Sequence, residues 1–488
     1  MRSPAPPPPD PALLDAVPAE LARRALAFPT HVEGGVLHVR TLRADDDDQA
    51  LDVMRARTGA YDVTAQRDPD VVRHLLVAYA RHALRGALTD AVVLLDTLLD
   101  LAAGSDASDV HLVATSDGMR VRQRIDGDLH EVVDVPAATA AALVARIKVR
   151  AALDVAERRL PQDGRLSHEL PTGALDVRVA TMPVRSGERI TLRLLPDGPA
   201  GVELGALGLP TATVCALERA IGASDGLVIV CGPTGSGKTT TLHALLARLA
   251  AGPRNVVTLE DPVERIVIGT SQTQVAPAQG LTFAAGLRHL LRHDPDVLLV
   301  GEVRDRETAQ LAVEAAHTGH LVLTSLHAVD APAALTRLHE LGVASTLLAD
   351  TVRIVVAQRL LALPCPDCDV TADITVDVPV DVTADVTGDA MCAACGGTGT
   401  RGRSAVAETL ELDATLRDLL RDGQAPGAHH AALAAAVTPR LRTTALERAA
   451  AGLARTHDAL HATPATQNDR HAVMVASLPS GIGAAGVR

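Results

Sequence analysis

The chain has 488 residues and a formal net charge of -13, with 47% apolar residues, 1% aromatic residues and no tryptophan. This length allows about three domains, whose cores must be built from alanine, valine and leucine. The negative charge and the scarcity of aromatic rings argue against a nucleic-acid binder, because such proteins attract phosphates with basic surfaces and stack bases on aromatic side chains.

Composition and periodicity divide the chain into segments of different character. In chain order they are a disordered Pro-rich leader (1–11), a small N-terminal domain with one β-like run at 36–39 (12–87), an α+β second domain (88–200), an α/β core (201–360), a module with paired cysteines (361–403), a helical C-terminal domain (404–463) and a flexible tail (464–488). The leader lacks the apolar run of a signal peptide. No uncharged apolar stretch approaches the roughly 20 residues of a membrane-spanning helix, so we expect a cytoplasmic chain.

The second domain and the core carry different strand patterns. In the second domain, apolar and polar residues alternate over 109–113 and 121–125, and Asp126-Gly127 is a hairpin-type turn signal. A helix is predicted over 137–153, followed by a second strand pair at 174–180 and 189–195. In the core, four short apolar runs alternate with helical patterns, which predicts a mostly parallel sheet. These predicted strands are 227–231, 255–259, 297–300 and 321–325.

A phosphate-binding loop follows the first of these core strands. The run that fits G-x-x-x-x-G-K-[ST], with the residue after it, comprises Gly232, Pro233, Thr234, Gly235, Ser236, Gly237, Lys238, Thr239 and Thr240. Glycines allow backbone amides to turn towards phosphate oxygens, and the N-terminus of the following helix adds partial positive charge. We expect Lys238 to contact the β- and γ-phosphates and the Thr239 hydroxyl to bind Mg²⁺.

Two acidic positions end predicted strands beside this loop. Glu302 ends the run 298–302, where Gly301 occupies the position at which many P-loop enzymes have aspartate, and Glu260 directly follows the strand 255–259. Such carboxylates can bind Mg²⁺ and orient water. The pattern does not distinguish which glutamate polarises the water. His320 and His327 flank the predicted strand 321–325, which favours a γ-phosphate sensor or a subunit-interface role over a purely structural one.

Four cysteines form two pairs, Cys365 with Cys368 and Cys392 with Cys395. This spacing, in a chain without a secretory signal, predicts a structural zinc site in a reducing compartment rather than disulfides. Four thiolates suit a closed tetrahedral Zn²⁺ site. The alternative is a set of reduced, unpaired cysteines.

Six further segments form a specific pattern in this order, namely 108–112, 122–127, 157–165, 258–264, 294–305 and 318–327. With them, the chain resembles the GspE/PilB family of type II secretion and type IV pilus assembly ATPases over roughly residues 88–460. The last three segments are similar to the family's aspartate box, Walker B segment and histidine box. The chain departs from the family pattern at Ala328 and Val329, after the histidine box, and at His293.

The resemblance implies a homohexamer in which an α+β domain packs on a RecA-like ATPase domain. It also implies that Arg165, Arg178 and Arg193 approach the γ-phosphate. Such an ATPase would hydrolyse MgATP, with ATP, Mg²⁺ and structural Zn²⁺ as its cofactors. It would drive a membrane platform that extrudes pilin or pseudopilin subunits.

The implied partners are an inner-membrane platform protein and an adaptor of the same machine, with the N-terminal domain as a partner-binding module. Membrane contact would occur only through these partners at the cytoplasmic face of the inner membrane, without direct contact to nucleic acid. Two alternatives stay open. One is a related motor for pilus retraction or DNA uptake, and the other is a nucleotide-binding scaffold that does not hydrolyse ATP.

Overall fold

The computed structural model describes residues 9–42, 48–195, 203–366, 392, 395 and 398–463. The chain forms two compact units. The first consists of Met1–Asp197 and Pro364–Gly402, and the second of Gly198–Leu363 and Arg403–Arg488. The described cysteines Cys365, Cys392 and Cys395 therefore belong to the same unit as the N-terminal part of the chain.

The first unit begins with a small three-stranded sheet. Strands β1 (Ala27–Glu33) and β2 (Val36–Thr41) are antiparallel, and β3 (Asp62–Arg67) pairs with β2 in parallel. The accompanying helices are α1 (Pro11–Ala16), α2 (Ala19–Ala25), α3 (Asp48–Thr58) and α4 (Val71–Ala87). Only β2 is predicted from the sequence, because β1 contains Pro29 and β3 is mostly exposed and lacks apolar alternation.

A six-stranded antiparallel sheet follows in the same unit, in the order β6-β5-β4-β9-β8-β7. Its strands are β4 (Ala107–Ala114), β5 (Gly118–Ile125), β6 (Asp128–Pro136), β7 (Gln162–Leu170), β8 (Gly173–Val184) and β9 (Gly187–Leu195), and its helices are α5 (Ala91–Gly104) and α6 (Ala137–Arg150). The predicted turn at Asp126-Gly127 joins β5 and β6, and both residues have positive φ. Strands β6 and β7 are both absent from the prediction, and the sequence of β7 is mainly polar.

The second unit is built on a seven-stranded sheet in the order β12-β11-β13-β14-β10-β15-β16. The strands are β10 (Gly226–Cys231), β11 (Val256–Glu260), β12 (Ser271–Gln274), β13 (Val297–Val300), β14 (Leu321–Leu326), β15 (Val352–Pro364) and β16 (Thr400–Glu411). The pairings among β10 to β14, and that of β10 with β15, are parallel. All four predicted core strands are therefore confirmed, and the predicted α/β fold class is confirmed with them.

Helices cover this sheet. They are α7 (Thr211–Gly222), α8 (Lys238–Ala250), α9 (Phe283–Leu290), α10 (Arg306–His317), α11 (Ala331–Glu340), α12 (Ser345–Thr351), α13 (Ala414–Leu420), α14 (His430–Ala436), α15 (Leu441–Ala450) and α16 (Thr456–Ala462). The two cores beside the sheet consist mainly of leucine, valine and alanine, as the composition requires. Among the described residues, no helix has both the length and the hydropathy to cross a membrane.

One part of the sequence-based description needs correction. The segment 404–463, predicted to be helical, begins within strand β16, which joins the central sheet beside β15. The six residues from Ala405 to Leu410 are buried although Glu408 and Thr409 are polar, so the sequence shows neither a continuous apolar run nor an alternation that would mark a strand.

A buried ion pair ties α6 to the β8–β9 hairpin in the first unit. The Lys148 ammonium lies 2.6 Å from a Glu188 carboxylate oxygen and donates a hydrogen bond of 2.6 Å to the carbonyl of Glu157. Both charged side chains are almost fully buried. Removing one partner would leave the other charge buried without compensation.

We therefore predict that Glu188→Leu lowers the free energy of unfolding by about 3–5 kcal/mol. The double variant Lys148→Met/Glu188→Leu should recover most of that loss, because no buried charge remains. Urea unfolding followed by circular dichroism measures both variants. Equal stability of the single variant and the wild type would contradict the prediction.

Candidate functional site

The predicted phosphate loop lies between β10 and α8. Gly232 has φ +152°, and a Cβ atom there would lie 2.5 Å from the Gln358 carbonyl oxygen, so only glycine fits. Gly237 caps α8 in the left-handed conformation and provides no side-chain cap. The first amides of α8 therefore need another acceptor, and a phosphate at a helix N-terminus provides it.

Lys238 is the first residue of α8 and borders the loop. Its ammonium donates hydrogen bonds to the carbonyls of Gly232 (3.0 Å) and Pro233 (2.9 Å). Burial lowers its pKa, an effect that the nearby Cys231 and Glu302 oppose. Thr239, the next residue, is half-buried beside the loop, whereas Thr240 is exposed.

Gln358 on β15 holds the loop in place, and sequence reasoning does not find it. Its amide nitrogen donates to the Ser236 carbonyl (2.8 Å), and its amide oxygen accepts from the Thr241 hydroxyl (2.7 Å). Both bonds are buried, so Gln358 connects the loop, α8 and the neighbouring strand. Since β15 is not among the predicted strands, the sequence offers no context that would mark this glutamine.

Glu260 ends β11 and is almost fully buried. One carboxylate oxygen accepts hydrogen bonds from Thr258 (2.6 Å) and Gln272 (3.0 Å), and the other lies 2.9 Å from His243 Nε2. Burial raises the pKa of Glu260, but the hydrogen bonds from His243, Gln272 and Thr258 outweigh this effect and lower it. The carboxylate is therefore held ionised in one orientation.

Glu302 follows β13, the strand next to β11. A Cβ atom on Gly301 would lie 3.2 Å from the Leu259 carbonyl and 3.3 Å from Glu260 Cα, so glycine allows the two strand ends to approach closely. The Glu302 carboxylate lies 2.7 Å from the guanidinium of Arg304, which is largely exposed. Glu302 thus has an accessible cationic partner, whereas two of the three partners of Glu260, Thr258 and His243, are buried with it.

These groups line one pocket at the carboxyl edge of the sheet. The pocket contains Thr234, Gly235, Lys238, Thr239, His243, Glu260, Asp261, Glu264, Glu302, Arg304 and His327, among others. It joins a loop suited to phosphates with two carboxylates suited to a metal ion and water. Its residues therefore fit a magnesium–nucleotide complex.

The two predicted sensor histidines lie at opposite ends of β14. His327 lines the pocket, and burial lowers its pKa, with further lowering by the positive charges of Lys238 and Arg304. Its imidazole is therefore mainly neutral at neutral pH. His320 lies at the other end, where its Nδ1 is 3.0 Å from the Ala315 carbonyl.

The three predicted arginines share one face of the six-stranded sheet. Arg165 pairs across the strands with Arg178, which pairs with Arg193. All three line one groove of the first unit, together with Asp163. Arg193 Nε donates to Asp109 (2.9 Å). The structure thus brings the three guanidinium groups together.

Three of the four predicted zinc ligands also lie together, and Cys368 lies outside the described residues. Cys365 and Cys395 are buried, and the sulfur atoms of Cys365 and Cys392 are 3.8 Å apart. Two thiolates on a tetrahedral zinc, each at about 2.3 Å from the ion, would lie at about this separation. The amide of Gly399 donates to the Cys395 sulfur (3.3 Å). The thiol cluster therefore fits zinc.

Comparison with known proteins places these features in a family. The family model described as type II/IV secretion system protein matches residues 88–461, and the model of the MshEN domain matches residues 2–86. The chain belongs to the type II/IV secretion system protein family. The predicted resemblance to GspE/PilB ATPases is therefore confirmed, and so is the prediction of a secretion or pilus motor ATPase.

Several relatives of this secretion family are close in sequence. Type II secretion system protein E of Klebsiella pneumoniae is 43% identical over 335 residues, which is 68% of this chain and 67% of that protein. Type II secretion system ATPase E of Vibrio cholerae is 39% identical over 378 residues, covering 76% of this chain and 75% of that protein.

Two solved structures share the fold of this secretion family member. The Legionella pneumophila ATPase DotB has a TM-score of 0.56 at 23% identity, covering 75% of this chain and 94% of that chain. The pilus retraction motor PilT, solved with bound ADP, has a TM-score of 0.50 at 24% identity, covering 76% and 98%. At these identities the likeness shows the fold alone.

We predict that His243→Leu lowers the free energy of unfolding at neutral pH by about 1–3 kcal/mol, because one buried oxygen of Glu260 loses its donor. His243→Gln should lower the free energy of unfolding less, since its amide can still donate a hydrogen bond to the Glu260 carboxylate.

The pH dependence of this loss follows from the direction of the Glu260 shift. The pKa of Glu260 in the folded protein lies below its ordinary value of 4.5, so its stabilising contribution is complete above that pH and is lost as the pH falls through the folded pKa. Urea unfolding at pH 7 and below pH 4 should therefore show a smaller difference between wild type and His243→Leu in acid. A difference that grows in acid would contradict this assignment.

Proposed function

We propose that the chain hydrolyses MgATP by in-line attack of water on the γ-phosphate and uses this reaction to drive type II secretion or type IV pilus assembly. The observation that carries the proposal is the pocket in which Lys238 and the phosphate loop face Glu260 and Glu302. The names of the relatives in K. pneumoniae and V. cholerae support a secretion role.

The roles of the residues follow from their surroundings. The amides at the start of α8 and the Lys238 ammonium would bind the phosphates, and Thr239 with the acidic pair would hold Mg²⁺. When bound, Mg²⁺ neutralises charge on the phosphate oxygens. Both oxygens of Glu260 already accept hydrogen bonds within the protein. Glu302 is more accessible, and we therefore assign it to the attacking water.

His327 lines the same pocket and is held neutral, so it can donate or accept a hydrogen bond without adding charge. It is our candidate for the γ-phosphate sensor. The resemblance assigns Arg165, Arg178 and Arg193 to the charge that develops on the phosphoryl oxygens. Their shared groove supports a common role, and contact with the nucleotide stays a prediction.

The larger assembly is also part of the proposal. We infer a homohexamer at the cytoplasmic face of the inner membrane, acting on a platform protein through the N-terminal domain and an adaptor. Bound ATP would favour one arrangement of the domains, and this preference would disappear once the γ-phosphate is gone. Hydrolysis would therefore change the domain arrangement and so move the platform. A retraction or DNA-uptake motor would use the same chemistry on another load.

Lys238→Ala should reduce ATP turnover by at least about a hundredfold, since it removes the charge that stabilises the β- and γ-phosphates. Glu302→Gln should reduce turnover comparably while retaining nucleotide binding. The matched control is Arg248→Ala, on the exposed face of the same helix, which should keep wild-type turnover. Phosphate release measures the rate, and a fluorescent ATP analogue measures binding.

ATP turnover that is unchanged in Lys238→Ala would contradict the proposal of a P-loop motor. A wild type that binds MgATP but releases no phosphate, alone or with its secretion partners, would favour the non-hydrolysing scaffold.

The thiol cluster should hold about one Zn²⁺ per chain in reducing buffer after low-affinity metal has been removed on a chelating resin. Cys365→Ser/Cys392→Ser should abolish this retained zinc and lower the thermal midpoint of the first unit. Cys215→Ser replaces an exposed cysteine outside the cluster and should retain the metal. Metal analysis showing well under one Zn²⁺ per wild-type chain would contradict the zinc assignment.

A further inference from the structure

The exposed face of the N-terminal hairpin carries three side chains with metal-binding atoms. His31 and Glu33 lie two residues apart on β1 and therefore on one side of that strand, and His38 lies opposite His31 on β2. One ligand atom from each of the three residues lies within 4.8 Å of the other two. This group, the His–His–Glu cluster, is separate from the nucleotide pocket and from the thiol cluster.

A β-bulge at Thr30 produces the cluster. Pro29 pairs with Val39 and His31 with His38, so Thr30 is an extra residue between two successive pairs. Without it, the alternation of the strand would set His31 opposite Leu37, which is fully buried in the core. The bulge thus moves His31 to the solvent face, which is a known use of such irregularities.

The hydrogen bonds of Thr30 also favour one tautomer of a neutral His31. The Thr30 hydroxyl donates its single proton to the His38 carbonyl (3.0 Å), so it can only accept from His31 Nδ1 (3.1 Å). A neutral His31 then carries its proton on Nδ1 and presents the lone pair of Nε2. That Nε2 atom faces Glu33, whose carboxylate oxygen lies 3.8 Å away.

The two imidazoles stack face to face in this conformation. Their ring centroids are 4.4 Å apart and their planes differ by 5°. Zinc ligated by nitrogen and oxygen at about 2.0–2.2 Å requires donor atoms roughly 3.3–3.5 Å apart. Because a bound ion lies near the plane of each imidazole that ligates it, the His38 ring and the 80% exposed Glu33 side chain must turn towards His31 Nε2 to reach this separation. The guanidinium of the neighbouring Arg40 forms an ion pair with the Asp68 carboxylate, with a nitrogen–oxygen distance of 3.5 Å.

We propose that His31, His38 and Glu33 bind one divalent transition-metal cation of the Zn²⁺ type, with solvent completing the coordination. Imidazole nitrogen with carboxylate oxygen suits this class of ion. The cluster offers three protein ligands at an exposed surface, so the ion would exchange with solvent. A bound ion would also link the two strands of the hairpin across the bulge.

The test is calorimetric titration of Zn²⁺ into the full chain that retains its thiol-bound metal, at pH 7.5 in a non-chelating buffer. We expect one additional Zn²⁺ per wild-type chain at the cluster. His31→Gln/His38→Gln should weaken this binding at least roughly tenfold, and Glu33→Gln should weaken it less, because both imidazoles remain. Circular dichroism should show that each variant retains the wild-type fold.

A second histidine pair provides the matched control. His457 and His461 on α16 have ring centroids 4.6 Å apart but tilted by 37°, and His457→Gln/His461→Gln should leave the additional site intact. Loss of the site in that variant, or equal zinc affinity of wild type and His31→Gln/His38→Gln, would overturn the proposal. A wild type that takes up no additional Zn²⁺ would overturn it as well.

Discussion

The site depends on one geometric constraint, which is that parallel strands end at the same edge of a sheet. Strands β10, β11, β13 and β14 run parallel in adjacent positions. The residues that follow them therefore meet although they are far apart in sequence, and they include the phosphate loop, Glu260, Glu302 and His327. Ligands bind at this edge in open α/β sheets for the same reason.

The two glutamates at this edge of the sheet differ in their burial and in their partners. Glu260 is buried, and a carboxylate can be kept ionised there only if hydrogen bonds replace its hydration; His243, Gln272 and Thr258 provide them. Glu302 is somewhat more exposed than Glu260 and pairs with the exposed Arg304, so it can change partners as a nucleotide binds and reacts. The absence of a side chain on Gly301 allows the two groups to lie on adjacent strands.

The sequence predicts the elements whose patterns are local. The four core strands are continuous apolar runs, and the loop between β10 and α8 has an unmistakable motif. Gln358, His243 and the bulge at Thr30 act through distant partners, and a single sequence carries no signal of such contacts. Strands β7, β12 and β16 are missed for a related reason, because their neighbours rather than their own alternation determine the strand conformation.

The two groups of metal-binding side chains illustrate how burial determines the behaviour of a site. The thiol cluster has two buried sulfurs and an amide donor to Cys395, so a metal there would be shielded from water and would stabilise the segment that leads into β16. The His–His–Glu cluster lies on an exposed hairpin, where solvent competes for each position around the ion. Metal at the first site is therefore expected to persist as part of the fold, and metal at the second to follow its free concentration in the surrounding solution.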